Sequence, residues 1–150
     1  MDSIKPHARI DSEPSDADER AVVRGLLAFN EAWIGPSNEQ PVRLVARDDL
    51  GVVGGLLGST RWKWLYIAKL WVDERGRGKG IGTQLLGAAE ELARTRGCTD
   101  ASLDTFEYQA RPFYEKLGYE LFGTLEGFPP GYRQFYLRKR RSRPVASRSR

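Results

Sequence analysis

The octapeptide RGRGKGIG, Arg75 to Gly82, puts glycine at every second position and sets three positive charges between the glycines. Glycine is costly in an ordered chain unless the backbone must turn unusually or approach something closely. An apolar run, IAKLWV, precedes the loop and an amphipathic run, TQLLGAAEELA, follows it. Consecutive N–H groups at the start of a helix carry a partial positive charge and converge on an anion. Arg75, Arg77 and Lys79 can add charge-assisted contacts. The chemistry this stretch suits is the holding of an extended phosphate, a pyrophosphate. Two familiar phosphate motifs do not fit. A dinucleotide fingerprint needs glycine at i, i+2 and i+5, and the third position is Ile81 counted from Gly76 or Thr83 counted from Gly78. A Walker loop needs Ser or Thr after Gly-Lys, and Gly80 follows Lys79. RG-type nucleic-acid segments are repeated, whereas this one is a single copy between a strand and a helix.

The elements that must position the loop follow from periodicity. PHARID, residues 6–11, is expected to form a short first strand. A helix is expected from Ser15 onward. Ser15 and Asp18 match a capping box, and Val22, Val23, Leu26, Leu27, Phe29, Trp33 and Ile34 recur at helical spacing until Gly35-Pro36. Three strands follow, PVRLVARD, VVGGLLGS and KWLYIAKLWV, with turns expected at Asp49-Leu50-Gly51 and Ser59-Thr60-Arg61. A second helix is expected over 80–96, closed by Gly97. Then come the strand CTDASLDTF, a short helix in QARPFYEKLGY, and the strands YELFGTLE and YRQFYLRK around a GFPPG loop. This order predicts an α/β domain with a mixed sheet.

Composition narrows the class of protein. The chain has 150 residues, 40% of them hydrophobic and 29% charged, as in an ordinary soluble globular domain. The single cysteine, Cys98, excludes an intrachain disulfide, and its place beside Gly97 at a strand entry suits a small buried residue rather than an acyl carrier. His7 is the only histidine, so no histidine cluster exists and no metal is implied. No apolar run reaches the length of a membrane span and the N-terminus does not read as a signal peptide, which leads to the expectation of a cytoplasmic protein without a membrane partner. The last thirteen residues, RKRRSRPVASRSR, carry seven Lys/Arg and no acid, so removing them from the net charge of +4 leaves −3 elsewhere. Residues 139–150 are read as a basic disordered tail after a domain of 1–138, with nucleic acid the weaker reading.

LWVDERGRGKGIGTQLL resembles the acetyl-CoA-binding motif of the GNAT superfamily of N-acetyltransferases. Arg77, Gly80 and Gly82 fill the family's pattern of Arg or Gln, two residues, Gly, one residue, Gly or Ala. LDTFEYQARPFYEKLGYELFG resembles the strand, helix and strand that follow it, and the likeness covers roughly residues 8–138. The resemblance implies a GNAT fold: a mixed, mostly antiparallel sheet, splayed in the middle, with helices on both faces. It implies acetyl-CoA as cosubstrate, with backbone N–H groups of Arg77, Gly78, Lys79, Gly80, Ile81, Gly82 and Thr83 on the pyrophosphate. The backbone of Leu70, Trp71 and Val72 would run beside the pantetheine arm, and a bulge in that strand would open a slot for the thioester. An N–H near Val72 would polarise the acetyl carbonyl, and Tyr114 would be the acid for the departing thiolate. Ala110 marks the pantetheine end, and Glu107 stands three residues before it where the family often has Asn. The strand over 63–72 has no acid where many members carry a base, which leaves Asp104, Glu107, Glu126 or a water chain. The wider stretch resembles small bacterial members near the kasugamycin acetyltransferases. The implied reaction is direct transfer of acetyl to a primary amine of a small, aminoglycoside-like molecule. Acetylation of a protein or peptide amine and a non-catalytic acyl-CoA or nucleic-acid module are the alternatives, and a homodimer is compatible with either enzyme reading.

Overall fold

The computed structural model describes residues 7–140. The chain divides into two units, Met1–Ser37 and Asn38–Arg150. The first contains the helix α1, Asp16–Ile34. Its start is the expected capping box: the Ser15 hydroxyl accepts from the Asp18 N–H at 3.1 Å, and the Asp18 carboxylate accepts from the Ser15 N–H at 2.9 Å. These bonds hold the Asp18 carboxyl below its usual range. Gly35 closes the helix with φ +83°, its N–H bonded to the Glu31 carbonyl at 2.9 Å. No residue of α1 is buried. No strand forms over residues 7–11. Ile10 is the one large apolar residue there and is 97% exposed, so a strand would have little to bury.

The second unit is a six-stranded sheet in the order β1-β2-β3-β4-β6-β5. The strands are β1 Gln40–Asp48, β2 Gly51–Arg61, β3 Trp64–Val72, β4 Asp100–Phe106, β5 Glu120–Glu126 and β6 Arg133–Arg140. Only β3 and β4 pair in parallel, and α2, Ile81–Thr95, connects them. The other pairs are antiparallel. A short helix α3, Arg111–Lys116, joins β4 to β5, with Pro112 in its first turn where no N–H is missed. The mixed, mostly antiparallel sheet expected from the sequence is present. One turn differs: β2 runs on through Arg61, and the hairpin turns at Trp62-Lys63 with φ +45° and +65°. Two left-handed residues match the strand twist, but the usual Asn-Gly signal for such a turn is absent here.

One face of this sheet carries the core. Val42, Leu56, Leu65, Ile67, Ala101, Leu103, Phe135 and Leu137 pack against Leu85, Leu86, Ala89 and Ala93 of α2 and Tyr114 of α3. Each fully buried leucine or valine among them contributes about 1.5–3 kcal/mol. Strand β6 continues to Arg140, where it pairs with Asp100. Residues 141–150, the remainder of the basic tail, lie outside the described residues. Among the described residues no helix is long and apolar enough to cross a membrane.

Candidate active site

The site begins with a fault in β3. Along β2 the partners of β3 run Leu56↔Leu70 and Leu57↔Lys69, then jump to Gly58↔Ile67. Ala68 is the extra residue of a β-bulge, which bends a strand and re-aims its side chains. Leu65 and Ile67 face the core before it, and Leu70 and Val72 pack against the core after it. Gly58 makes the bulge possible, since a β-carbon there would land on the Tyr66 carbonyl oxygen. Pairing of β3 with β4 ends at Ile67↔Leu103, while β4 stays paired to β6 as far as Phe106↔Gln134. From Ala68 onward β3 therefore turns away from β4. The parting of the two strands implied by the resemblance is there, and Leu70, Trp71 and Val72 lie on the part of β3 that has no ladder to β4.

The glycine loop closes one end of this slot. Asp73 caps a 3-10 turn, Glu74–Gly76, and its carboxylate accepts from the Arg75 N–H at 3.1 Å. Arg75 is exposed but held by acids of the chain. It pairs with Asp48 at 3.0 Å and Asp73 at 3.2 Å, and donates to the Val52 carbonyl at 3.0 Å. The bond from Arg75 is also the main reason the Asp48 carboxyl lies below its usual range. Of the three exposed loop cations, Arg75 thus ties the loop to the β1–β2 turn, Arg77 donates to the Val72 carbonyl at 3.4 Å, and Lys79 stands beside the α2 start. Gly80, the residue before α2, is left-handed at φ +77° and offers no side-chain cap. The first N–H groups of a helix have no partner within it. The Arg77 N–H, expected on the pyrophosphate, is instead bonded to the Glu74 carbonyl at 3.2 Å; among the described residues the amides of Gly78 through Thr83 meet no acceptor, and Gln84 is bonded to the Gly80 carbonyl at 3.0 Å. Gly82 serves packing as well, because a β-carbon there would lie 3.2 Å from the Phe113 ring of α3.

Tyr114 lies on α3, 8% exposed, edge-on to Phe113 and Tyr119. Burial, then the Asp104 charge, pushes its phenol above the ordinary tyrosine range. It is therefore protonated at neutral pH and able to donate. A phenol weaker than an ordinary thiol stabilises a thiolate by hydrogen bonding more readily than by full proton transfer. Ala110 stands at the N-cap of α3, its carbonyl accepting from the Phe113 N–H at 3.0 Å. Gln109 fixes this turn by accepting from the Phe106 N–H at 2.6 Å and the Thr105 hydroxyl at 3.0 Å. Glu107 is paired with Arg133 at 2.6 Å. Burial raises the Cys98 thiol, which suits an inert core residue. A cavity of about 420 Å³ lies at the other end of β4, lined by Glu90, Arg94, Cys98, Asp100 and Lys139. None of the loop residues, nor Tyr114, borders it.

The sequence pattern did not reveal one polar assembly. The Asp104 carboxylate accepts from the Tyr66 hydroxyl at 3.1 Å and from the Gln134 amide at 2.8 Å. Gln134 accepts in turn from the Tyr136 hydroxyl at 2.9 Å. Tyr66 and Asp104 are 38 residues apart and meet through strand register, which no local spacing encodes.

A mixed sheet whose β3 and β4 part, followed by a glycine-rich loop that leads into a helix, is the arrangement that the resemblance to an acyltransferase implied. The Acetyltransferase (GNAT) family model matches residues 7–119, and the chain belongs to that family. It is an acetyltransferase. It is 40% identical over 131 residues to the acetyltransferase Atu2258 of Agrobacterium fabrum, covering 86% of this chain and 96% of that protein. A crystal structure of an acetyltransferase from Agrobacterium tumefaciens superposes with a TM-score of 0.80 at 36% identity, over 90% of this chain and 99% of that one. The blasticidin-S acetyltransferase of Streptomyces morookaense is 41% identical over 81 residues, covering 53% of this chain and 60% of that enzyme.

Proposed function

We propose that this protein transfers acetyl from acetyl-CoA directly to a primary amine of a small molecule, without a covalent enzyme intermediate. The run of six amides, Gly78 to Thr83, at the mouth of the β3–β4 slot carries the reading. These amides, with Arg77 and Lys79, hold the CoA pyrophosphate. The pantetheine arm runs along Leu70–Val72, past Ala110, with Glu107 at its side. An N–H of the parted β3 backbone near Val72 polarises the acetyl carbonyl and steadies the oxyanion that forms on attack. Tyr114 hydrogen-bonds the leaving sulfur. The likeness to a blasticidin-S acetyltransferase supports an antibiotic-like amine as acceptor, and kasugamycin is a second candidate of that class.

The test follows CoA release with a thiol reagent, offering blasticidin S, kasugamycin and an N-terminal peptide amine in turn. Acceleration by a small amine supports the reading, and acceleration by the peptide alone replaces it with protein acetylation. The companion variant is Gly80→Asp. Nothing lies within 4 Å of a β-carbon there, and Asp is one of the side chains that tolerates a left-handed backbone. Its charge beside the pyrophosphate should weaken acetyl-CoA binding at least tenfold, about 1.4 kcal/mol. Unchanged affinity by calorimetry in a folded variant would falsify the loop assignment.

A further inference from the structure

We propose that Asp104 is the catalytic base and the seat of the acceptor's ammonium group, with Tyr66 and Gln134 as its positioning residues, and that the rings of Phe106, Tyr108, Phe128 and Tyr132 receive a ring-bearing acceptor beside it. The inference rests on the acetyl-transfer reading above and names that site's acceptor half.

Strand register separates the three carboxylates that sequence left open. Residues directly opposite in paired strands share a face. Thr105 pairs with Phe135, and Phe135 belongs to the core packed under α2 and α3. Arg133, two residues before Phe135, shares that face, and Glu126 is its direct partner. Glu107 pairs with Arg133 and both acids act on it, Glu107 by a direct bond and Glu126 by charge. Glu107 and Glu126 therefore lie on the helix side and share one guanidinium, Glu107 as its ion pair. Asp104 pairs with Tyr136 on the opposite face, where Tyr66 also lies through its partner Ser102. Asp104 is also the first residue of β4 beyond the last β3 contact at Leu103. Its carboxylate thus sits at the apex of the slot, where the two strands part, on the side away from the helices that flank the cofactor loop. Glu120 on this face is held by Arg138, further from the slot.

The setting suits a cation. Tyr66 and Gln134 each donate one hydrogen bond to the carboxylate, fixing its orientation. The titratable groups around it are Tyr66, Tyr136 and Tyr114, with Arg61 acting on Tyr66 from the end of β2. Phe106 lies two residues along β4 on the same face. Its ring stacks on Tyr108 at 5.7 Å and meets Phe128 edge-on at 5.5 Å, and Tyr108 meets Tyr132 at 5.0 Å. Tyr108, Phe128 and Tyr132 are about half exposed, a ring-lined surface open to a ligand. Aromatic faces also attract a cationic amine.

The proton balance follows. An alkylammonium has a pKa of about 10, so the acceptor arrives as a cation and the Asp104 carboxylate holds it by charge. The free-base amine, once its first proton has gone to solvent, attacks the acetyl carbon. As the C–N bond forms, the carbonyl pair moves to oxygen and the nitrogen becomes acidic. Asp104 takes that second proton. Collapse breaks the C–S bond, its electron pair stays on sulfur, and sulfur takes up one proton. The products are an amide, free CoA and one net proton.

Phenethylamine and hexylamine serve as probes, with CoA release as the readout and kcat/KM referred to the concentration of free-base amine, which corrects for the lower basicity of phenethylamine. The wild type should favour phenethylamine by at least about tenfold in kcat/KM, and Phe128→Ala with Tyr132→Ala should abolish that preference. Asp104→Asn should lower kcat/KM for phenethylamine about 100-fold at pH 7 while leaving the acetyl-CoA Kd unchanged. The deficit should narrow as pH approaches the amine's own pKa. A merely structural Asp104 would instead give a loss independent of pH. Asp104→Glu, which keeps the charge, should retain the wild-type pH profile at reduced kcat and is the variant to use if the Asn form does not fold. Near wild-type activity in Asp104→Asn, a pH-independent deficit, or equal use of the two amines overturns the inference. If the wild type binds acetyl-CoA but acetylates neither amine, the acceptor assignment falls and the cofactor half stands. If it does not bind acetyl-CoA, both readings fall.

Discussion

Gly58→Ala should damage the slot from a distance, and its size can be worked from the backbone. The added β-carbon would land on the Tyr66 carbonyl oxygen, 3.1 Å from the Tyr66 carbonyl carbon and 3.3 Å from Ile67 Cα. All three are backbone atoms, so no rotamer change relieves the contact. One escape resets the β2–β3 register by a residue and erases the bulge. That would flip every side chain beyond it, expelling Leu70 and Val72 from the core and driving Lys69 inward. An unpaired buried lysine costs several kcal/mol. The cheaper escape is a local parting of β2 and β3, an overpacking response of about 1–3 kcal/mol. The expected loss is therefore about 2 kcal/mol, or roughly 4–8 °C in Tm for a chain of this size. The displaced bulge should also narrow the gap to β4, so acetyl-CoA affinity should fall by more than the unfolded fraction explains. Urea unfolding and calorimetry on one sample separate the two effects. Gly87→Ala is the control: nothing lies within 4 Å of a β-carbon there, and alanine should stabilise α2 by about 1 kcal/mol. A Gly58→Ala protein within about 0.5 kcal/mol of wild type, with unchanged acetyl-CoA affinity, would show that the bulge does not depend on this close approach.

Tyr114→Phe keeps the ring contacts with Phe113 and Tyr119 and removes the donor. Steady-state kinetics should show kcat down about tenfold to a few hundredfold at nearly constant acetyl-CoA affinity; an unchanged kcat would remove Tyr114 from the mechanism. Stability should fall above pH 10, because burial raises the folded pKa values of Tyr114 and Tyr119 above that of an unfolded tyrosine, so the unfolded chain loses those protons first and is favoured as pH rises. Urea midpoints flat from pH 9 to pH 11 would contradict that placement of the two rings.

The glycine loop was legible because its signal is local. Alternating glycines, interleaved charges and an amphipathic run after them occupy a single stretch, which places the loop between β3 and α2, but the pattern does not show that the Arg77 N–H is bonded to the Glu74 carbonyl. Arg75 was misjudged because its partner, Asp48, lies 27 residues away at a turn the sequence marks only as Asp-Leu-Gly. The Trp62-Lys63 turn was missed because two bulky residues take the conformation that Asn-Gly normally advertises. The first strand did not form because the alternation around Ile10 had little else to bury. The bulge was expected from family likeness, whereas its physical cause is the approach of the Gly58 and Tyr66 backbones, which residue types alone do not reveal.

The choice of base shows where sequence reasoning stops. Asp104, Glu107 and Glu126 are chemically equivalent candidates, and alternation within β4 assigns residues to faces without saying which face meets the acceptor. Three registers are needed to decide. The β3–β4 pairing locates the point of parting just before Asp104. The β4–β6 pairing puts Asp104 with Tyr136 and away from Phe135. The β5–β6 pairing, shifted by one between Leu121 and Gly123, puts Glu126 beside Arg133. Without that shift Glu126 would change faces and compete with Asp104. The assignment of chemistry to one carboxylate therefore depends on backbone irregularities more than on the acids themselves, and deleting the extra residue at the β5 bulge would be the structural way to invert it.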